Sequence, residues 1–261
     1  TLPVVVNQMP RKGDILIGGQ TPQTVTEDGF SISTQDGILR ISGKEKGVVY
    51  GVVTLLEQYL GVDYWGENEY SFTPQKTVNL PLINKVENPA FRYRQTQCYA
   101  IRTDSIYKWW NRLEEPNEVF AAGYWVHTFD KLLPSSVKGK RHPGKASQWC
   151  LSNPEVFEIV AQRVDSIFKA NPDKHIMSVS QNDGNYTNCT CDDCKAIDDY
   201  EGALSGSVIT FLNKLAARFP DKEFSTLAYL YTMNPPKHVK PLPNVNIMLC
   251  DIDCDREVTL T

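Results

Sequence analysis

No apolar run in this chain approaches the ~20 residues that a membrane-spanning helix requires, which removes that class of protein. A basic stripe is missing too: 27 Lys+Arg against 31 Asp+Glu leave a formal net charge of −4. With no surface to neutralise phosphates, the charge balance argues against a nucleic-acid partner. No methionine stands at Thr1, which fits the removal of a signal peptide or another leading segment. Seven cysteines cannot all pair within one chain, so at least one is free, metal-bound or joined elsewhere. What remains is an ordinary globular composition, 41% hydrophobic and 22% charged, in 261 residues, enough for two units.

Residues 1–85 read as a small α/β sandwich-like, non-catalytic domain. Asp14-Ile15-Leu16-Ile17-Gly18-Gly19 is a strand with a glycine exit. Residues 30–33 and 37–42 alternate apolar and polar side chains around Gln35-Asp36-Gly37, the pattern of a β-hairpin. Val48, Val52, Leu55, Leu56, Tyr59 and Leu60 then recur at helical spacing, with Gly61 in the C′ position. A closing edge strand is expected over 76–81.

From residue 86 the rhythm changes to short strands separated by long connections. The candidate strands are 91–97, 121–127, 175–181, 224–231 and 244–251. Asn153-Pro154-Glu155 supplies an N-cap, an N1 proline and an acid for the helix dipole, ahead of an apolar stripe of Val156, Ile159, Val160, Val164, Ile167 and Phe168. Ser205 or Ser207 opens a second helix, with Val208, Phe211, Leu212, Leu215 and Phe219 on one face and Pro220 beyond its end. Strands alternating with helices imply parallel pairing, so residues 86–261 are expected to form a (β/α) TIM-type barrel. Five strands fall short of the eight that a barrel of ~250 residues needs. The barrel is therefore expected to be incomplete in this chain, and the chain a fragment of a longer protein.

Residues 175–194 carry the most chemistry. An apolar run, His175-Ile176-Met177-Ser178-Val179-Ser180, stops in Gln181-Asn182-Asp183-Gly184, and Cys189-Thr190-Cys191-Asp192-Asp193-Cys194 follows. A buried strand ending in an amide, a carboxylate and a glycine is how α/β barrels present reactive groups at their C-terminal rim. An Asx turn before a glycine accounts for the same residues without chemistry. Asp251 and Asp253, which close the last strand, are candidates for a second carboxylate or a sugar-hydroxyl acceptor. Trp125 and His127 follow an apolar run and suit stacking on, and hydrogen bonding to, a pyranose ring. Arg94 shares a strand face with Arg92; structural ion pairing is the default reading of the two, and contact with an anionic sugar at the rim the other. Tyr229 and Tyr231 sit at a strand end and line either a pocket or a core. The thiolates of Cys189, Cys191 and Cys194 can converge on a structural Zn²⁺, with a fourth ligand from Asp192, Asp193, Cys150, Cys250 or Cys254. A disulfide suits an exported protein equally, and no second CxxC pair follows.

The residues also support a resemblance. The hairpin and the segment Gly47-Val48-Val49-Tyr50-Gly51 look like the non-catalytic domain that precedes the barrel in α-glucuronidases and β-hexosaminidases, and Pro89-Ala90-Phe91-Arg92-Tyr93-Arg94 resembles the entry into their first barrel strand. Trp125-Val126-His127, Gln148-Trp149-Cys150-Leu151-Ser152-Asn153-Pro154, Ser180-Gln181-Asn182-Asp183, the three-cysteine spacing and Asn234-Pro235-Pro236 are together similar to a large group of bacterial polysaccharide-utilisation proteins. Those carry a domain of unknown function placed beside such hydrolases. The resemblance implies an exported, periplasmic or surface protein of a bacterium that acts on an oligo- or polysaccharide and requires no cofactor. In β-hexosaminidases an Asp-Glu pair ends the fourth strand. The resemblance then implies that Asp183 is the acid and Asn182 its hydrogen-bonding partner at the substrate; the residues themselves offer Asp251 as the second catalytic carboxylate and His127, Trp125, Arg94, Tyr229, Tyr231 and Asp253 as substrate contacts. Asn182-Asp183 departs from that pair: Asp is a methylene shorter than Glu, and Asn brings no charge to a cationic intermediate. A carbohydrate-binding or scaffold protein on the same fold is the rival expectation.

Overall fold

The computed structural model describes residues 6, 9–133, 148–255 and 257–258. They form a mixed α/β protein in two compact units, Thr1–Glu114 and Glu115–Thr261. Residues 86–114, which follow the boundary drawn from sequence at 85, pack with the first unit. No helix among the described residues is long and apolar enough to cross a membrane.

The first unit is built on a four-stranded sheet in the order β1-β3-β2-β6: β1 (Ile15–Ile17), β2 (Phe30–Gln35), β3 (Ile38–Gly43) and β6 (Asn84–Glu87). β2 and β3 form the expected hairpin, turning through Asp36 and Gly37 with φ of 55° and 73°. Two consecutive left-handed residues give the turn whose twist matches that of the strands. Ile32 faces Ile41 across the register, both fully buried, and α1 (Gly47–Thr54) lies over them with Tyr50 in the same core. Gly47 permits that approach: a Cβ there would stand 1.8 Å from the Gly29 carbonyl oxygen. The helix continues as a π-turn over Leu55–Tyr59 and ends at Gly61, whose φ is +64°. A second hairpin, β4 (Val62–Gly66) with β5 (Glu69–Phe72), had no counterpart in the sequence reading. The closing strand is β6, not residues 76–81. Nor do residues 91–97 form a strand; Arg94 instead exchanges bonds with Glu114, its N–H reaching Glu114 Oε2 at 3.2 Å and its carbonyl accepting Glu114 N–H at 2.7 Å. Short helices α2 (Tyr99–Arg102) and α3 (Ser105–Trp110) complete the unit.

The second unit holds a three-stranded, wholly parallel sheet, β7 (Ile176–Ser178), β8 (Glu223–Ala228) and β9 (Val245–Leu249), in that order. Parallel pairing demands a crossover. Between β7 and β8 it is supplied by α7 (Asp192–Glu201) and α8 (Ser205–Arg218). The long α6 (Pro154–Ala170) precedes β7 and starts as its sequence dictates: Asn153 Oδ1 accepts the Glu155 N–H at 2.9 Å, with proline at N1. Its stripe of Val156, Val160, Val164, Ile167 and Phe168 packs with Trp149, Met177, Phe211, Leu212, Leu215 and Phe224. Trp149 stacks on Phe129, ring centroids 3.9 Å apart. Residues 121–127 run beside β7 without becoming a strand. Phe120 bridges to Ile176, and the Tyr124 carbonyl accepts Ser178 N–H at 2.7 Å. Ala122, Gly123 and His127 all have positive φ, which breaks the pleat between those contacts. Short helices α4 (Pro116–Val119) and α5 (Phe129–Leu132) flank this segment.

Candidate functional site

The carboxyl ends of β7 and β8, and of the residues after β9, converge in the second unit. Beyond β7 the chain runs through buried Gln181 and Asn182 to exposed Asp183. Tyr229, the first residue past β8, donates its phenol O–H to Asp183 Oδ1 at 3.1 Å. Partial burial, that hydrogen bond and the negative charge of Asp183 hold the Tyr229 phenol above its ordinary value, so it stays a donor. His127 closes the group edge-on to Tyr229, ring centroids 5.8 Å apart. Its Nδ1 stands 2.8 Å from the Gln181 carbonyl. A carbonyl only accepts, so Nδ1 carries the proton and a neutral ring offers Nε2 as an acceptor. His127 keeps this position with φ of 51°, a strained value for a residue with a Cβ.

The other sequence candidates divide. Asp251 and Asp253 both lie exposed beyond β9, the Asp251 carbonyl accepting Cys254 N–H at 3.0 Å. Asn182 has its amide engaged elsewhere: Oδ1 accepts Asp130 N–H at 3.0 Å, and Nδ2 donates to Asp130 Oδ1 at 3.1 Å. Tyr231 is packed inside, where burial and then the charge of Asp198 push its phenol up. Trp125 is half-buried. Arg94 belongs to the first unit and is spent there, on Glu114 Oε1 at 2.9 Å, Asp28 Oδ2 at 3.5 Å and the carbonyls of Arg112 and Phe91. Gln148 was not singled out by sequence. It is buried and pins Asn182 by both backbone groups, accepting N–H at 2.9 Å and donating to C=O at 2.9 Å, with a further bond to Thr187 Oγ1 at 3.0 Å. Its only signal was its place beside Trp149 and Cys150.

A second centre lies just along the chain. The sulfurs of Cys150, Cys189, Cys191 and Cys194 all fall within 4.8 Å of one another, a set that could hold a metal ion. Of the ligands open to the local trio in sequence, the fold selects Cys150, 3.7 Å from Cys191 and 4.0 Å from Cys194. All four thiols are free, as are Cys98, Cys250 and Cys254. Ser152 Oγ sits among them, 3.2 Å from Cys194, 3.5 Å from Cys150 and 3.6 Å from Cys191. Burial pushes Cys189 up, and Cys194 to about 11. At Cys191 burial is outweighed by the Cys194 N–H, the Ser152 hydroxyl and the neighbouring thiols, which bring it down to about 7. Cys191 also caps α7, where the helix dipole favours a thiolate.

A family model described as a domain of unknown function, DUF4838, matches residues 64–261. The chain belongs to that family. Every candidate residue, from Arg94 to Asp253, and all four clustered cysteines lie inside the matched span, whereas β1 to β3 and α1 precede it. No curated protein matches the chain.

Proposed function

We propose that this chain is a glycoside hydrolase-like protein, exported by a bacterium, whose second unit is part of a (β/α) TIM-type barrel acting on a complex polysaccharide. One observation carries the reading: a carboxylate, Asp183, stands exposed five residues beyond the C-terminal end of the parallel strand β7 and is held by the Tyr229 hydroxyl at 3.1 Å. Glycosidic cleavage needs an acid at the leaving oxygen and a second carboxylate, or a substrate group in its place, facing the oxocarbenium charge. Asp183 is assigned the first role. Asp251 or Asp253, both exposed beyond β9, is assigned the second. His127 Nε2 and Tyr229 suit sugar hydroxyls. For the four-cysteine cluster the proposed ion is a structural zinc, since all its coordination positions are sulfur.

A second reading, binding without hydrolysis, is favoured by Asn182. The partner residue of the expected acid pair is turned into protein contacts with Asp130. The two readings separate on a panel of acidic and N-acetylated polysaccharides, assayed for released reducing ends and for binding by calorimetry. General acid catalysis supplies roughly 10²–10⁴-fold, so Asp183→Asn should cut turnover by at least ~100-fold with affinity nearly unchanged. Unaltered turnover would remove Asp183 from the acid role, and binding with no turnover in the unsubstituted protein would establish the second reading.

A further inference from the structure

The cluster of sulfurs joins segments that are otherwise linked mainly by the bonds of Gln148 to Asn182 and Thr187. Cys150 precedes α6; Cys189 and Cys191 lie in the loop that follows Asp183; Cys194 is in the first turn of α7. Between Asp183 and Cys191 there is neither helix nor strand. The buried residue in that stretch is Cys189, while Asp183, Asn185, Tyr186 and Thr190 are exposed. The α7 helix that follows turns Cys194, Asp198 and Glu201 inward, and only the first of these is apolar. A segment with so little apolar surface to bury must be ordered by something other than the hydrophobic effect. Fixing each backbone residue of such a loop costs conformational entropy. A structural zinc ion contributes folding free energy outright and can offset that cost.

The geometry suits that ion. Four thiolates around a tetrahedral Zn²⁺ at ~2.3 Å stand about 3.8 Å from one another. The Cys150–Cys191 and Cys150–Cys194 separations, 3.7 and 4.0 Å, bracket this value. Ser152 Oγ lies close to three of the sulfurs and can give its single proton to one thiolate of the set, a bond from outside the ligand shell. We infer that zinc bound by Cys150, Cys189, Cys191 and Cys194 is the clamp that orders the Asp183 loop, so that the proposed sugar-facing rim exists only in the metal-loaded protein. The inference rests on the zinc reading of the cluster and goes beyond it, because a structural ion could stabilise the whole unit without controlling the rim.

Metal analysis and hydrogen exchange test the two parts separately. Protein purified under reductant should carry one zinc per chain; Cys150→Ser and Cys194→Ser should lose it, and Cys98→Ser should keep it. Zinc is then removed with a chelator in the presence of reductant. Amides in residues 182–202 should exchange at least ten-fold faster, return to their protected rate when zinc is restored, and leave residues 30–43 and 156–168 unchanged. Zinc present but exchange unaltered on its removal overturns the clamp and spares the zinc reading. Faster exchange throughout 156–168 as well overturns a clamp confined to the rim. Absence of zinc, with a mass two units below that of the reduced chain, identifies a disulfide and sinks both.

Discussion

Glu114 is a carboxyl group with 2% of its surface exposed, and its neighbours decide its charge. Burial and the side chain of Asp28 raise its pKa to about 7, against the opposing pull of Arg94 and Lys46. A folded-state value above the unfolded one means that the folded chain holds the proton more tightly. The resulting stability is complete below about pH 4.5 and is lost as the pH rises through about 7. At 1.36 kcal/mol per unit the loss is on the order of 3 kcal/mol. Glu114→Gln should therefore flatten the dependence of the urea midpoint between pH 5 and pH 8; parallel lines for variant and parent would show that another group titrates. The same residues give Arg94 the structural ion pairing that the sequence offered against a sugar contact. Its partners Asp28 and Glu114 stand 66 and 20 positions away, so nothing local shows that the guanidinium is already engaged. Asp183 was legible because a strand end and a glycine flank it, and Cys189, Cys191 and Cys194 because spacing alone brings them together. The choice of Cys150 over the four other candidates was not, since only the fold carries it 41 positions to Cys191.

Elements were readable where apolar residues alone define the buried face. The α6 and α8 helices, the β2–β3 hairpin and the cores of β7, β8 and β9 fall where periodicity and caps put them. The α7 helix was missed because its inward positions are Cys194, Asp198 and Glu201, i, i+4 and i+7, a helical spacing that hydrophobicity cannot register. Its polar residues serve as caps instead: Asp198 Oδ1 accepts Ser207 N–H at 2.8 Å in the first turn of α8, and Glu201 Oε2 accepts the N–H groups of His238 and Val239. The opposite error was made at 91–97, where Phe91 and Tyr93 alternate with arginines as in a strand, yet the backbone of Arg94 pairs with Glu114 rather than with a ladder. The cap of α6 offers a quantitative check. Asn153→Ala removes the acceptor for Glu155 N–H and should cost about 1 kcal/mol by chemical denaturation, while Asn153→Asp, an equally good cap, should cost much less. Equal losses in both variants would mean that Asn153 acts through some contact other than its cap.

For the molecule as a whole, the decisive feature is the margin of the parallel sheet. Among the described residues β9 is its last strand, paired to β8 on one side. It turns apolar side chains outward, with Ile247 42% and Leu249 72% exposed. A strand edge bearing unpaired N–H and C=O groups beside exposed apolar residues is a template for another chain, which proteins blunt with lysine or proline or cover with further structure. The barrel reading requires such cover, because a closed sheet has no edge. The 261-residue chain by itself should therefore associate through β9 as its concentration rises. Leu249→Lys places a charge on that edge where little apolar area is buried, so thermal stability should change by less than ~0.5 kcal/mol. Light scattering across a concentration series should show the variant staying monomeric to a several-fold higher concentration than the parent, and most clearly at low salt, where screening is weakest. Coincident scattering curves for the two proteins would mean that β9 is already protected, and that the open side of the sheet is not where this molecule meets its neighbours.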